Sequence, residues 1–132
     1  MKKLLIAFIF AFIGIFAANA QVLSFRGEAY SQKSLNSYGT WSNWSSWQKC
    51  SVPITINLNN DQVIIYSNRT QYYQIYDYSS PYTDSGAQCI DYAFYDQDGD
   101  RGTMTLVQKP SGQSEIYIRF ANIQWAYVVI RV

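Results

Sequence analysis

The chain has no histidine. That removes every His-based catalytic triad, every imidazole general base and every histidine metal site. Charge is scarce too. Only 14% of the 132 residues are charged, and the net charge of +1 offers no basic field for nucleic acid. The two cysteines have no imidazole to activate them, which argues against a catalytic thiol. No phosphate-cradling glycine loop, metal-ligand cluster or internal repeat is present. After residue 20 no apolar run is long enough for a membrane-spanning helix. With 48% hydrophobic residues, the chain is too apolar for a disordered protein.

What is present starts with an export signal. Lys2 and Lys3 form a short positive region, Leu4 to Ala17 is uncharged and apolar, and Ala18-Asn19-Ala20 ends in small residues. This order predicts a signal peptide over 1–20 with cleavage before Gln21. The rival is a membrane anchor, which has no need of the Ala-x-Ala ending. The residue directly after the site is Gln21 and not cysteine, which argues against a lipid-anchored lipoprotein. The expectation is a single secreted or periplasmic domain over 21–132. Removing Lys2 and Lys3 leaves eight basic against nine acidic residues. A domain of this size buries enough surface to fold alone.

The rest reads as β throughout, from period-two alternation rich in Val, Ile, Thr and Tyr. Eight strands are expected: Val22 to Tyr30, Trp47 to Leu58, Gln62 to Ser67, Gln71 to Tyr78, Gln88 to Tyr95, Thr103 to Gln108, Glu115 to Phe120 and Gln124 to Val132. Short polar links between them predict antiparallel neighbours. The expected fold is therefore all-β, an antiparallel meander of about eight strands forming a small closed or nearly closed β-barrel. The alternative is a two-layer sandwich. Closure by the first and last strands cannot be read from alternation.

Two links are long. Ser31 to Ser46 is rich in Ser, Asn and Gly and holds Trp41 and Trp44, while Ser79 to Ala87 holds Pro81, Tyr82 and Gly86. Loops of this kind carry function on β scaffolds. The tryptophans either cap a barrel end or stand exposed for a partner, whereas Trp47 enters the second strand and is expected in the core. Alternation puts Tyr72, Tyr76 and Tyr78 on one face and Tyr73 and Ile75 on the other. Asp96-Gln97-Asp98-Gly99-Asp100 fails the EF-hand spacing, with Gly99 at position 4 and Val107 at position 12. It reads as a tight Asp-Gly turn, with a weak surface cation on its three carboxylates as the alternative.

Cys50 and Cys89 both follow the signal, where an oxidising compartment favours a disulfide between them. Strand parity objects. Cys50 shares the face of Val52, Ile54 and Ile56, but Cys89 alternates out of phase with Ile90, Tyr92 and Phe94.

Trp41-Ser-Asn-Trp44-Ser-Ser-Trp47 followed by Cys50-Ser51 resembles the opening of a thrombospondin type-1 repeat. That family needs six cysteines, a Cys-Gly pair and an Arg-x-Arg strand, all missing here. A tryptophan near the first loop is loosely similar to lipocalin-like barrels. More of the chain resembles small secreted β-proteins of gut Bacteroidetes, a family of unknown function. Trp44 and Trp47, Val52 to Ile56, Val63 to Ser67, Gln71 to Ile75, Asp96 to Gly99 and Trp125 to Val132 carry that likeness. It implies an exported protein and no activity.

The functional expectation is an exported, non-enzymatic binding module. It would recognise a small molecule, a glycan or a protein through an aromatic loop, with Trp41, Trp44 and Tyr82 as binding residues. No cofactor, metal or nucleic-acid partner is expected, and the protein is expected to be a monomer. The alternative is an envelope or secreted inhibitor, or immunity-type protein, that blocks an enzyme.

Overall fold

The computed structural model describes residues 22–132, so the expected signal segment lies outside the described residues. Nine strands occur in it and no helix: β1 (Val22–Ser34), β2 (Gln48–Asn57), β3 (Gln62–Ile65), β4 (Gln71–Tyr78), β5 (Tyr82–Asp84), β6 (Ala87–Tyr95), β7 (Arg101–Gln108), β8 (Ser114–Arg119) and β9 (Ile123–Arg131). Each main strand pairs antiparallel with the next. β4 joins β6, and β9 returns to β1. Eight strands thus close a barrel, which excludes the sandwich. The short β5 continues the edge of β4 along the lower half of β6, through Tyr82↔Cys89 and Asp84↔Ala87. Alternation could not find β5, because all three of its residues are exposed.

The barrel interior is filled. Leu23, Phe25, Ile54, Ile56, Ile65, Ile90, Tyr92, Phe94, Met104, Ile116 and Ile118 are each 2% exposed or less. Each such side chain stabilises the fold by roughly 1.5–3 kcal/mol. Two glycines make room for rings. A Cβ on Gly102 would stand 2.6 Å from Phe94 Cζ, and one on Gly27 would stand 3.0 Å from Tyr127 Cδ1. One barrel end is plugged by aromatic residues: Tyr73 stacks on Phe94 at 4.2 Å, Phe94 meets Phe120 at 5.5 Å, and Phe120 meets Trp125 at 5.6 Å.

Four expectations change. Trp47 precedes β2 and is 48% exposed, so it is not a core residue. β1 runs four residues further than expected, because the polar stretch Ser31 to Ser34 pairs with β9. Tyr78 leaves the face of Tyr72 and Tyr76, because the register shifts between Ile75 and Asp77 and turns Tyr78 towards Tyr92. The disulfide is not formed. Cys50 and Cys89 are both free. Cys50 packs against the interior beside the Gly27 carbonyl, whereas Cys89 lies on the outer side of β6, and β3 and β4 stand between their strands. Strand parity was the better guide than compartment chemistry.

Candidate functional site

The outer faces of β6, β7, β8, β9 and β1 form a continuous register. One row runs Asp91, Thr105, Tyr117, Ala126, Ser31, and the adjacent row runs Ala93, Thr103, Arg119, Gln124, Lys33. An outer barrel face is normally wet. Here Thr105, Glu115, Ala126 and Ser31 are each no more than 4% exposed, so something covers them.

Part of the cover is the tryptophan loop. It leaves the end of β1, turns through Gly39 at φ 80°, and comes back along β1. Asn36 shapes the turn, its Oδ1 accepting from the N–H groups of Tyr38 and Thr40. The returning segment is held by Ser42 N–H to Ser34 O at 2.8 Å and Ser45 N–H to Gln32 O at 2.9 Å. Ser31 Oγ donates to Ser45 O at 2.5 Å. The seryl residues that made this segment look like open loop are its clasps. Ser31 faces Ala126, and these small side chains leave room for Trp44 to cross β9 and meet Tyr117.

The other wall is β5. Tyr82 donates to Asp91 Oδ1 at 2.9 Å, and Asp91 also accepts from Thr105 Oγ1 at 2.7 Å. Between the Trp44 loop and β5 lies a groove of about 480 Å³, within the small-molecule range of roughly 300–1,000 Å³. Trp44 and Tyr82 both line it, although their links leave the barrel at opposite ends. Trp41 stands just outside, with Lys33 Nζ 5.5 Å from its ring and 5.0 Å from that of Trp44.

The groove floor is polar and internally bonded. Glu115 is 1% exposed and takes three partners: Lys109 Nζ at 2.9 Å, Gln113 Nε2 at 2.7 Å and Tyr117 Oη at 2.8 Å. Arg119 donates from Nη1 to Thr105 Oγ1 at 2.8 Å and lies 5.0 Å from the Tyr117 ring. Burial, and then the hydrogen bond given to Asp91, push the Tyr82 hydroxyl up to about 12. Burial and the bond to Glu115 push Tyr117 up to about 12. Burial also raises the Cys89 thiol on the same floor. These groups are therefore neutral donors near pH 7, without a poised acid, base or thiolate among them.

Sequence reasoning missed Thr105, Glu115, Tyr117, Arg119 and Lys33. The available signal was parity, since Thr105, Glu115, Tyr117 and Arg119 occupy the outward positions of their strands.

A second hollow of about 610 Å³ lies over the aromatic plug, lined by Phe120, Trp125, Asp96, Asp100 and Arg101. Trp125 Nε1 is buried there without a hydrogen-bond partner. Its acids form the expected tight turn: Gly99 has φ 83°, and Asp96 Oδ1 accepts from the N–H groups of Asp98 and Asp100. Carboxylate oxygens of Asp96, Asp98 and Asp100 lie within 4.8 Å of one another. The outer-wall groove differs in having nearly fully buried polar side chains beneath exposed aromatic walls. No family model, curated protein or solved structure matches the chain.

Proposed function

We propose that the protein acts after export as a monomeric, non-enzymatic carbohydrate-binding module, with the outer-wall groove as its site. What supports this reading above all is the convergence of Trp44 and Tyr82 over one polar floor. A sugar ring has an apolar C–H face and a rim of hydroxyls. The first suits an indole or phenol face. The second suits the carboxylate and amide groups that line the groove, such as Asp84 and Gln124. The barrel interior is filled, so a ligand held inside in the lipocalin manner has no room. The walls are also held in place beforehand: Asp91 fixes the Tyr82 hydroxyl and Glu115 that of Tyr117, which lowers the ordering cost of binding.

The test is a glycan array screened with the chain lacking residues 1–20, followed by calorimetry on the best oligosaccharide. Trp44→Ala and Tyr82→Ala should each weaken binding about tenfold or more, because each removes an aromatic wall. No glycan bound by the wild type overturns the reading. So does binding that survives both changes and is lost in Trp125→Ala, which would move the site to the barrel end.

A further inference from the structure

Of the three cations lining the groove, Lys109 pairs with Glu115, whereas Lys33 and Arg119 lie against aromatic rings. Lys33 on β1 and Arg119 on β8 flank Gln124 of β9 from opposite sides. Among the described residues the ion pairs are Arg26 with Glu28 and Lys109 with Glu115, so neither Lys33 nor Arg119 has a carboxylate within reach. Their partners are neutral. Lys33 rests against the rings of Trp41 and Trp44, and Arg119 against Tyr117 and the Thr105 hydroxyl. Of the acids lining the groove, Glu115 pairs with Lys109 and Asp84 stands exposed on β5 at the Tyr82 end, while the neighbouring Asp91 accepts from Tyr82 and Thr105.

The two cations stand two strands apart on one concave face, and Asp91 is reached from Arg119 only through the Thr105 hydroxyl. Lys33 is held at the groove mouth by two indoles. Arg119 has one hydrogen bond to Thr105, while its guanidinium offers about five N–H donors in a planar fork. Such a fork matches a carboxylate with two parallel bonds. Both cations stand towards the Trp44 end of the groove, Lys33 against the Trp44 ring and Arg119 against the Tyr117 ring that Trp44 meets.

Resting on the carbohydrate reading above, we propose that the groove selects sugars bearing a carboxylate, of the uronate or sialate type. The carboxylate sits on Arg119 and Lys33, the ring lies along Trp44, and the hydroxyls face Gln124. Trp41 has its place in this scheme, because it shares Lys33 with Trp44 and fixes where that charge stands.

The experiment is isothermal titration of the chain lacking residues 1–20 with trigalacturonate and sialyllactose, each beside its carboxyl-reduced form, in low and moderate salt. At least one acid should bind about tenfold or more tighter than its reduced counterpart, the scale of one charge-assisted bond. That margin should shrink as salt rises. It should also fall towards unity in Arg119→Gln and in Lys33→Gln, with urea midpoints showing that both variants fold. Two variants on different strands keep the test open if one fails to fold. Equal affinity for acid and reduced forms overturns the carboxylate proposal and leaves the carbohydrate reading standing. Binding of neither form, with an array that is blank as well, overturns both. A margin that persists in both variants places the anion elsewhere and overturns this assignment, as does a preference for sulfated over carboxylated probes.

Discussion

Trp44 stands edge-on to Tyr117, with ring centroids 5.9 Å apart and planes at 78°. The two residues are 73 positions apart in the chain and sit on segments that share no hydrogen-bonded ladder. Ala126 lies between them on β9, too small to keep the rings apart. This contact turns a long polar link into one wall of a groove.

Trp44 is 38% exposed, so its removal should cost little stability. An edge-to-face aromatic pair contributes about 0.5–1.5 kcal/mol beyond burial, whereas a fully buried large ring costs about 3–5 kcal/mol on truncation. Trp44→Ala should therefore lower the unfolding free energy by about 1–2 kcal/mol in urea. A loss of 3 kcal/mol or more would make Trp44 a structural clamp.

Gly102 is fixed by the Phe94 ring that lies over it. An added Cβ would stand 2.6 Å from Phe94 Cζ and 3.0 Å from the Arg119 carbonyl oxygen. Gly102→Ala should cost about 1–3 kcal/mol, the usual cost of overpacking. Phe94→Leu in the same chain should return part of the loss, which a double-mutant cycle would measure.

The barrel was legible because its signal is local. Ile90, Tyr92 and Phe94, or Ile116 and Ile118, alternate cleanly, and short links leave few ways to connect such strands. Closure was not legible, since the β9–β1 pairing joins the two ends of the described chain. Tyr78 was misread because one extra residue at a bulge inverts every later side chain on the strand. Trp41, Trp44 and Tyr82 could be picked as aromatic residues in long links. Their meeting place depended on Ser31 and Ala126 being small on the outer face, and Arg119 and Glu115 announce themselves only once that face is seen to be covered.

Both thiols are free, so unfolded, unreduced protein should titrate two thiols per chain. In the folded protein both should react slowly, because burial raises each thiol above its ordinary value and leaves little thiolate near neutral pH. Absence of free thiol in freshly unfolded protein would contradict the structure.

Glu115 is the most deeply placed charge of the described groove. Removing it strands Lys109, Gln113 and Tyr117 without their acceptor. Glu115→Ala should cost about 3 kcal/mol, near the lower end for breaking a buried pair, because Lys109 itself is 44% exposed. Glu115→Gln keeps one acceptor oxygen and should cost less. Equal stability of wild type and Glu115→Ala would show that the carboxylate contributes nothing to the wall.

Alkaline pH should weaken this wall along with the interior, where Tyr127 is likewise raised to about 12 by burial. Tyr82 and Tyr117 are both raised to about 12 from an ordinary value near 10, by burial first and then by bonds to Asp91 and Glu115. A raised tyrosine favours the protonated, folded form. Between about pH 10 and 12 the unfolded chain therefore loses protons that the folded chain keeps, and stability falls as pH rises. Below pH 10 both states are protonated and the contribution is fully present. Urea midpoints should thus hold steady to about pH 9.5 and then decline towards pH 12. The decline should be shallower in Tyr82→Phe and Tyr117→Phe, each of which deletes one titrating group. A double phenylalanine variant with the wild-type slope would show that the alkaline loss comes from tyrosines elsewhere in the barrel.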